Sequence, residues 1–430
     1  MKESAGGTVL KRLRPLLGFV LLLFSVFSFP AFADDHHILL SLPANANVAN
    51  AVASIGGGVQ VGAVFSSQEG LLLHLIVPAV PNCSSNSTIR FCEEITLTSL
   101  PSNPHARCWV TAPQTADASW YKTQPSFRLI NLNNALPYAT GRGVVVAVID
   151  SLMDYSHPAL AGHLTNGYDF VVGNQGGIIL NDSSAGYLDD SSAGYLDQAT
   201  ITYLNDSSAG YLDDSSAGYL DSQPRAWSHA TSVGSIIAAI ATDAMIMPVV
   251  AFGPNGSSDT LTIAKAIIWA VDNGAQVINM SFGTEDTSKV MRKAITYALD
   301  HSVTLVASAG NNNTSLTSVP QYPAAYSGVI STAATNLQDV KASFSNYGPT
   351  IVMDAPGVNI ISAAPGNLYG CMSGTSFSAP IIAGTAALVR SEGVTSVTQP
   401  ITSGAINIDA QNPAYTGQLG KRVDVRNSVN

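Results

Sequence analysis

The sequence predicts an α/β protein: a doubly wound, mostly parallel sheet with helices on both faces, preceded by a small α+β unit. Three observations carry this. From Gly141 onward, continuous apolar, β-branched runs recur, as strands buried on both faces of a parallel sheet require. Between them lie segments with apolar residues at helical spacing and recognisable caps. Ahead of them, residues 36–80 carry a strand, a short helix and a hairpin signal instead.

Taken in order, residues 1–33 read as an export signal. Lys2, Lys11, Arg12 and Arg14 form a positive start, and Leu16 to Phe29 is an apolar run too short for a comfortable membrane span. Ala31-Phe32-Ala33 then gives a small-x-small cleavage site. No second apolar run of 18 or more residues follows, so the processed chain is expected to be soluble and secreted or periplasmic. His37 to Leu42 reads as a strand, and Ala46 to Ile55 as a short helix ended by Gly56-Gly57-Gly58. Val59 to Phe65 and Leu71 to Val77 read as strands around the turn Ser66 to Gly70. Residues 81–125, rich in Pro, Ser, Asn and Thr, read as a connector.

The main domain opens with Val144 to Ile149, which ends in Asp150. Further strand runs are Ala244 to Phe252, Val277 to Phe282, Val303 to Ala309 and Val329 to Ala333. Thr260 to Asp272 is a helix stopped by Asn273-Gly274. Ser288 to Leu299 is another, with Asp286 or Thr287 expected as its N-cap. Sheets of this kind place their sites at the carboxyl ends of the strands, where Asp150 sits.

One segment does not fit this scheme. Residues 182–221 contain Asp-Ser-Ser-Ala-Gly-Tyr-Leu-Asp four times, at 182–189, 190–197, 206–213 and 214–221. Eight residues is short for a solenoid repeat. A solvated acidic insertion is the first reading, and a calcium-binding array of aspartates is the alternative. These repeats account for most of the net charge of −10, which argues against nucleic acid as a partner. The charged content of 11% is low beside the ~25% usual in soluble domains. The four cysteines, at 83, 92, 108 and 371, show no metal-ligand spacing; Cys83 and Cys92 could close a short loop, but three pairings remain open.

The chemistry-bearing stretch is Ser373-Gly374-Thr375-Ser376-Phe377-Ser378-Ala379-Pro380, which runs into an apolar helix rich in Gly and Ala. It would place the Ser376 hydroxyl at a helix N-terminus, where developing negative charge is favoured. Taken alone, Ser376 is equally a capping serine. A nucleophile needs a base, and the base an orienting carboxylate. His229 opens a buried helical run, and Asp150, His229 and Ser376 occur in the chain order of one known serine-nucleophile arrangement. Asn311, in Ser308-Ala309-Gly310-Asn311 after a strand, can donate its amide to an oxyanion. The segment Ser281-Phe282-Gly283 could pair with an extended peptide as an added strand.

Together these motifs resemble the subtilisin-like serine proteases, the subtilase family, from about residue 125 to the end. The resemblance rests on Val148-Ile149-Asp150-Ser151, Ser228-His229-Ala230-Thr231, Asn279 to Gly283, Ser308 to Asn311 and Gly374 to Pro380, with Gly420-Lys421-Arg422-Val423-Asp424 like the family's closing segment. It implies a secreted serine endopeptidase with a subtilisin-like fold. Asp150 would orient the imidazole, His229 act as general base and acid, Ser376 attack, and Asn311 complete the oxyanion hole. Ser281, Phe282, Gly283, Ala309 and Gly310 would line the substrate site, with Gln321 near the pocket floor. The implied organisation is a signal peptide at 1–33, a propeptide-like region and linker at 34–110, and a catalytic domain at 111–430 carrying the repeat insertion at 182–221. The propeptide would inhibit its own enzyme, and the product would be a monomer acting on peptides or proteins without a required cofactor. Calcium is not supported at its usual position, where Ala159 stands instead of the family's Asp. Leu152 and Ala230 stand where the family has glycine, and Gly234-Ser235 replaces Ala-Gly, so backbone crowding near the site is expected. The alternative is a weakly active or inactive subtilase scaffold that binds partners through its acidic repeats.

Overall fold

The computed structural model describes residues 36–56, 58–67, 70–81, 83, 87–95, 97–99, 119–171, 174–175, 227–253, 256–365 and 368–429. The export signal expected at 1–33, the repeats at 182–221 and Cys108 lie outside the described residues. The chain divides into two compact units, Met1–Ile95 and Thr96–Asn430.

The first unit contains β1 (His36–Leu42), α1 (Val48–Ala53), β2 (Gln60–Ser67), β3 (Gly70–Val77) and β4 (Phe91–Glu94). They form an antiparallel sheet in the order β2-β3-β1-β4. Alternation explains its core. Ile38, Leu40 and Leu42 of β1 pair in register with Leu75, Leu73 and Leu71 of β3, and they pack with Ala51 of α1. Strand β4 corrects the expectation that residues 81–125 are only a connector. Phe91 to Glu94 pairs with β1, and Cys83 and Cys92 are joined by a disulfide beside it. A four-residue strand is too short to show a period, so the sequence pattern hides it.

The second unit opens with β5 (Leu97–Ser99), α2 (Pro125–Leu129) and α3 (Leu132–Ala135). Then follow β6 (Val145–Asp150), β7 (Tyr168–Asp169), β8 (Asn174–Gln175), α4 (Trp227–Ile240), β9 (Met245–Val250), β10 (Ser257–Asp259), α5 (Thr260–Asp272), β11 (Val277–Met280) and α6 (Lys289–Asp300). The remainder is β12 (Thr304–Ser308), β13 (Val329–Thr335), β14 (Met353–Pro356), β15 (Ile360–Ala364), β16 (Leu368–Met372), α7 (Thr375–Ser391), α8 (Thr398–Gly404), β17 (Lys421–Arg422) and α9 (Val425–Ser428).

Nine of these strands form one sheet in the order β17-β14-β13-β12-β11-β6-β9-β7-β8. All its pairings are parallel except β7 with β8. The doubly wound α/β expectation is met. Strands β11, β12 and β13 are buried at every position, which is why the runs Val277 to Phe282, Val303 to Ala309 and Val329 to Ala333 do not alternate. Helix α6 shows the opposite pattern. Val290, Met291, Ala294, Ile295 and Ala298 are its buried stripe, and charged residues fill the other face. Its N-cap is Ser288, not Asp286 or Thr287, because the Ser288 hydroxyl accepts from Met291 N at 3.3 Å. Cys371 of β16 is disulfide-bonded.

Candidate active site

Asp150 is the last residue of β6, and its backbone carbonyl accepts from Ala251 and Phe252 N–H groups just beyond β9. The chain therefore leaves the sheet at Asp150 with its side chain at the carboxyl edge. The side chain is fully buried, and one carboxylate oxygen accepts from Ser151 N at 2.7 Å. Both oxygens lie 2.9 Å from Nδ1 of His229, which sits in the first turn of α4. A carboxylate spanning Nδ1 fixes the ring plane and places the proton on Nδ1, leaving Nε2 as the acceptor. Nε2 is buried and has no hydrogen-bond partner among the described residues. Helix α4 is anchored against β15: Ser232 Oγ donates to Ala363 O at 2.8 Å, and Ala363 N donates to Ser235 Oγ at 2.9 Å.

Ser376 is the second residue of α7, a helix buried along almost its whole length. Pro380 lies four residues on and has no N–H, so it cannot donate to the Ser376 carbonyl as a helix residue normally would. The Ser281 hydroxyl takes that place, donating to Ser376 O at 2.8 Å, and Ser376 Oγ donates back to Ser281 O at 3.2 Å. Asn279 Nδ2 in turn donates to Ser281 Oγ at 2.9 Å. The serine is thus tied to the end of β11, at the same carboxyl edge as Asp150. The His229 and Phe377 rings lie 5.7 Å apart, which brings the His-bearing and Ser-bearing helices together. Ser376 Oγ and His229 Nε2 do not hydrogen-bond to each other here, a looseness common in sites without substrate.

Asn311 lies just past β12. Its Oδ1 accepts from Thr375 N at 2.9 Å and Thr375 Oγ1 at 2.8 Å, which fixes the amide so that Nδ2 is the free donor end. A Cβ added at Gly374 would lie 3.3 Å from that Nδ2, so the amide stands over the turn that opens α7. Asp150, His229, Asn311 and Ser376 therefore converge on the carboxyl edge of one sheet.

The five residues expected to line the substrate site divide in two. Ser281 is buried and engaged with Ser376, Phe282 is buried with its ring 4.9 Å from that of Phe252, and Ala309 is buried. Gly283 and Gly310 are half-buried, and Gln321 bridges them: a Cβ at either glycine would meet the Gln321 side chain at 3.1 and 3.2 Å. At Ala159, a buried methyl in the main apolar core offers no oxygen to a cation, so this position does not fit calcium. Among the described residues no cluster of three His, Cys, Asp or Glu is placed to hold a metal. Ala230 is fully buried and Leu152 packs partly buried on the same core, with the Asp150–His229 pair formed beside them. Sequence reasoning did not anticipate Thr375, Asn346 or Lys341. Thr375 holds Asn311, and the other two hold the loop around it.

The comparisons agree with this geometry. Residues 141–410 match Peptidase S8, the subtilase family. A thermophilic serine proteinase of Bacillus sp. (strain AK1) is 36% identical over 251 residues, covering 58% of this chain and 53% of that protein, so the chain spans about half the length of this relative. Thermitase of Thermoactinomyces vulgaris is 31% identical over 265 residues, covering 61% of this chain and 81% of thermitase. Among solved structures, fervidolysin from Fervidobacterium pennivorans, a keratinolytic enzyme related to subtilisin, superposes with a TM-score of 0.65 over 92% of this chain and 60% of its own. At 23% identity that likeness speaks to the fold alone. From the matched domain, the two relatives and the four residues gathered at one sheet edge, the chain belongs to the subtilase family.

Proposed function

We propose that the protein is a secreted serine endopeptidase that cleaves peptide bonds through an acyl-enzyme on Ser376. The observation that carries this is the buried His229 clamped by both Asp150 oxygens with Nε2 unengaged, at the sheet edge where Ser376 opens its helix. In this reading Ser376 Oγ turns from the Ser281 carbonyl toward Nε2. His229 takes its proton as Oγ attacks the scissile carbonyl, and Asp150 stabilises the resulting imidazolium. Asn311 Nδ2 donates to the oxyanion. His229 then protonates the departing amine, and water hydrolyses the ester by the same route in reverse. No step calls for a metal or cofactor.

Substrates would bind as added strands. The chain offers an internal example: β5 pairs antiparallel with β10, just beyond the end of the strand beside Asp150. That segment directly follows the β1–β4 unit in sequence, which supports reading residues 34–110 as a propeptide-like region and linker removed by self-cleavage. Gln321 between Gly283 and Gly310 would shorten the pocket for the residue preceding the cleaved bond. Export rests on the signal-like sequence at 1–33.

A fluorophosphonate probe tests the proposal. It is expected to label Ser376 in the processed protein, and Ser376→Ala is expected to abolish both labelling and self-processing. A processed, folded protein that stays unlabelled would overturn it.

A further inference from the structure

The loop carrying Asn311 is held from behind by a segment that the triad does not use. Asn346 is fully buried and embraces the loop with four bonds. Its Oδ1 accepts from Asn312 N at 3.0 Å and Thr314 N at 2.9 Å, its Nδ2 donates to Ala309 O at 2.9 Å, and its backbone N–H donates to Gly310 O at 3.0 Å. Gly310 is required for this fit: its φ is 96°, and a Cβ there would collide with Asn346 Nδ2. Next to it, Asn313 N donates to Phe344 O at 2.7 Å. The Asn313 side chain is gripped by Lys341, whose Nζ donates to Asn313 Oδ1 at 2.8 Å, Ser345 O at 2.8 Å and Ala342 O at 3.0 Å. All three ammonium protons are thus used, and the Tyr415 and Tyr347 rings stand 4.8 and 5.4 Å from Nζ. One cation, almost withdrawn from solvent, fastens the 342–345 turn to the residue two positions after Asn311.

We propose that Lys341 is a positioning residue for oxyanion stabilisation: its charged side chain pins Asn313 and, with Asn346, sets the Asn311 amide for the reaction. This rests on the reading of Asn311 as the oxyanion donor. Because the pin is an ammonium ion, its grip depends on charge. Burial brings the Lys341 side chain down to about 8, partly offset by the carboxylate of Asp354 on β14. The other charged or titratable groups facing this region are Asp339, ion-paired to Arg422 of β17 at 3.0 Å, and the phenols of Tyr347 and Tyr415. As pH rises through about 8, Lys341 loses its proton, the charge-assisted bonds weaken, and the oxyanion loop loosens. Global stability moves the other way. A lysine held below its ordinary 10.5 in the fold carries a burial cost at lower pH, and that cost is relieved as pH rises from about 8 toward 10.5. An alkaline fall in turnover without a matching fall in stability is therefore the signature.

The test is steady-state kinetics on a peptide substrate from pH 6 to 10 for the full processed enzyme and four variants: Lys341→Met, Lys341→Arg, Asn311→Ala and Asn313→Ala. Lys341→Met is expected to lower kcat about tenfold at pH 7 with KM within about twofold, a part of the ~10²–10³ that the oxyanion donor itself supplies. Lys341→Arg is expected to restore most of the rate and to remove the alkaline limb, because guanidinium stays charged. Asn313→Ala removes the same link while leaving the cation and its bonds to Ser345 O and Ala342 O in place, and it is expected to match Lys341→Met, which keeps the test decisive if that variant does not accumulate. In an Asn311→Ala background, adding Lys341→Met or Asn313→Ala is expected to cost no more than about twofold further, since the residue being positioned is gone. Equal losses with and without Asn311, or an unchanged kcat and alkaline limb in both Lys341→Met and Asn313→Ala, overturn the proposal. A fully active Asn311→Ala would instead overturn the oxyanion reading, and the positioning role with it.

Discussion

Asp354→Asn should make this protein more stable at neutral and alkaline pH, although it removes a charge from β14, the strand next to the β17 edge of the sheet. Asp354 lies on β14, opposite Arg422 of β17 in the parallel ladder. It is fully buried, and neither carboxylate oxygen has a hydrogen-bond partner of normal geometry. Arg422 does not serve it, because the guanidinium is committed to Asp339 and to the Leu129 and Val423 carbonyls. Burial is the main force pushing the Asp354 carboxyl from 3.8 up to about 7, and the like charge of Asp339 adds to it. The Gly420 amide, near but not in good hydrogen-bonding geometry, and the Lys341 cation pull back less.

The sign follows from proton counting. Between pH 4 and 7 the folded protein keeps a proton that the unfolded chain has released, so stability from this group falls as pH rises across that window. Above about 7 the cost is fully present; a shift of about three pH units at ~1.4 kcal/mol each makes it ~4 kcal/mol. The amide cannot ionise, and its own unmade hydrogen bonds cost about 1–3 kcal/mol. The expected gain for Asp354→Asn at pH 8 is therefore ~1–3 kcal/mol, turning into a loss of ~1–2 kcal/mol near pH 4, where the carboxyl is protonated in the fold and only the amide's cost remains. Urea unfolding at both pH values, in a Ser376→Ala background to prevent autolysis, measures it. A stability difference that is the same at pH 4 and pH 8 would refute the reasoning, because an uncompensated carboxylate must make the difference depend on pH.

Two further substitutions probe packing and specificity. Gly384→Ala on α7 would place a methyl 2.9 Å from Cβ and Cγ2 of Ile240, a stiff β-branched neighbour on α4, and should cost ~1–3 kcal/mol in the same unfolding assay; no loss would mean that the α4–α7 contact is slack. Gln321→Ala should enlarge the pocket between Gly283 and Gly310, and peptide libraries should show kcat/KM shifting toward bulky apolar residues before the cleaved bond by about tenfold; an unchanged profile would place the specificity pocket elsewhere.

The parts of this molecule that could be read from sequence are those governed by local rules. The strand ending at Asp150, the helix from Thr260 to Asp272 closed at Asn273, and the Ser376 stretch opening a buried helix all follow from hydrophobic period and capping chemistry, which act over a few residues. Strand β4 escaped because four residues carry no period, and its partner β1 lies some fifty residues earlier. The Ser281–Ser376 exchange was half legible: Pro380 announces a carbonyl without its helical donor, but nothing local says that Ser281, 95 residues away, will supply one. Lys341 and Asn346 were not legible at all, since a lysine in a polar stretch looks solvated until the fold closes Tyr347 and Tyr415 around it.

The same distinction bears on the glycines expected near His229. Leu152 and Ala230 in place of glycine suggested a crowded cleft, yet both residues pack into the main core and the Asp150–His229 pair forms beside them. Part of the accommodation lies one turn along the helix. A Cβ at Gly234 would meet Met153 Cε at 2.8 Å and Leu160 at 3.4 Å, so the missing side chain there leaves the volume that Met153, next to Leu152, occupies. Core packing conserves volume across neighbours rather than at single positions. Extra bulk at Ala230 and space at Gly234 can therefore coexist on one helix face, and a motif read position by position overstates the crowding that the folded site experiences.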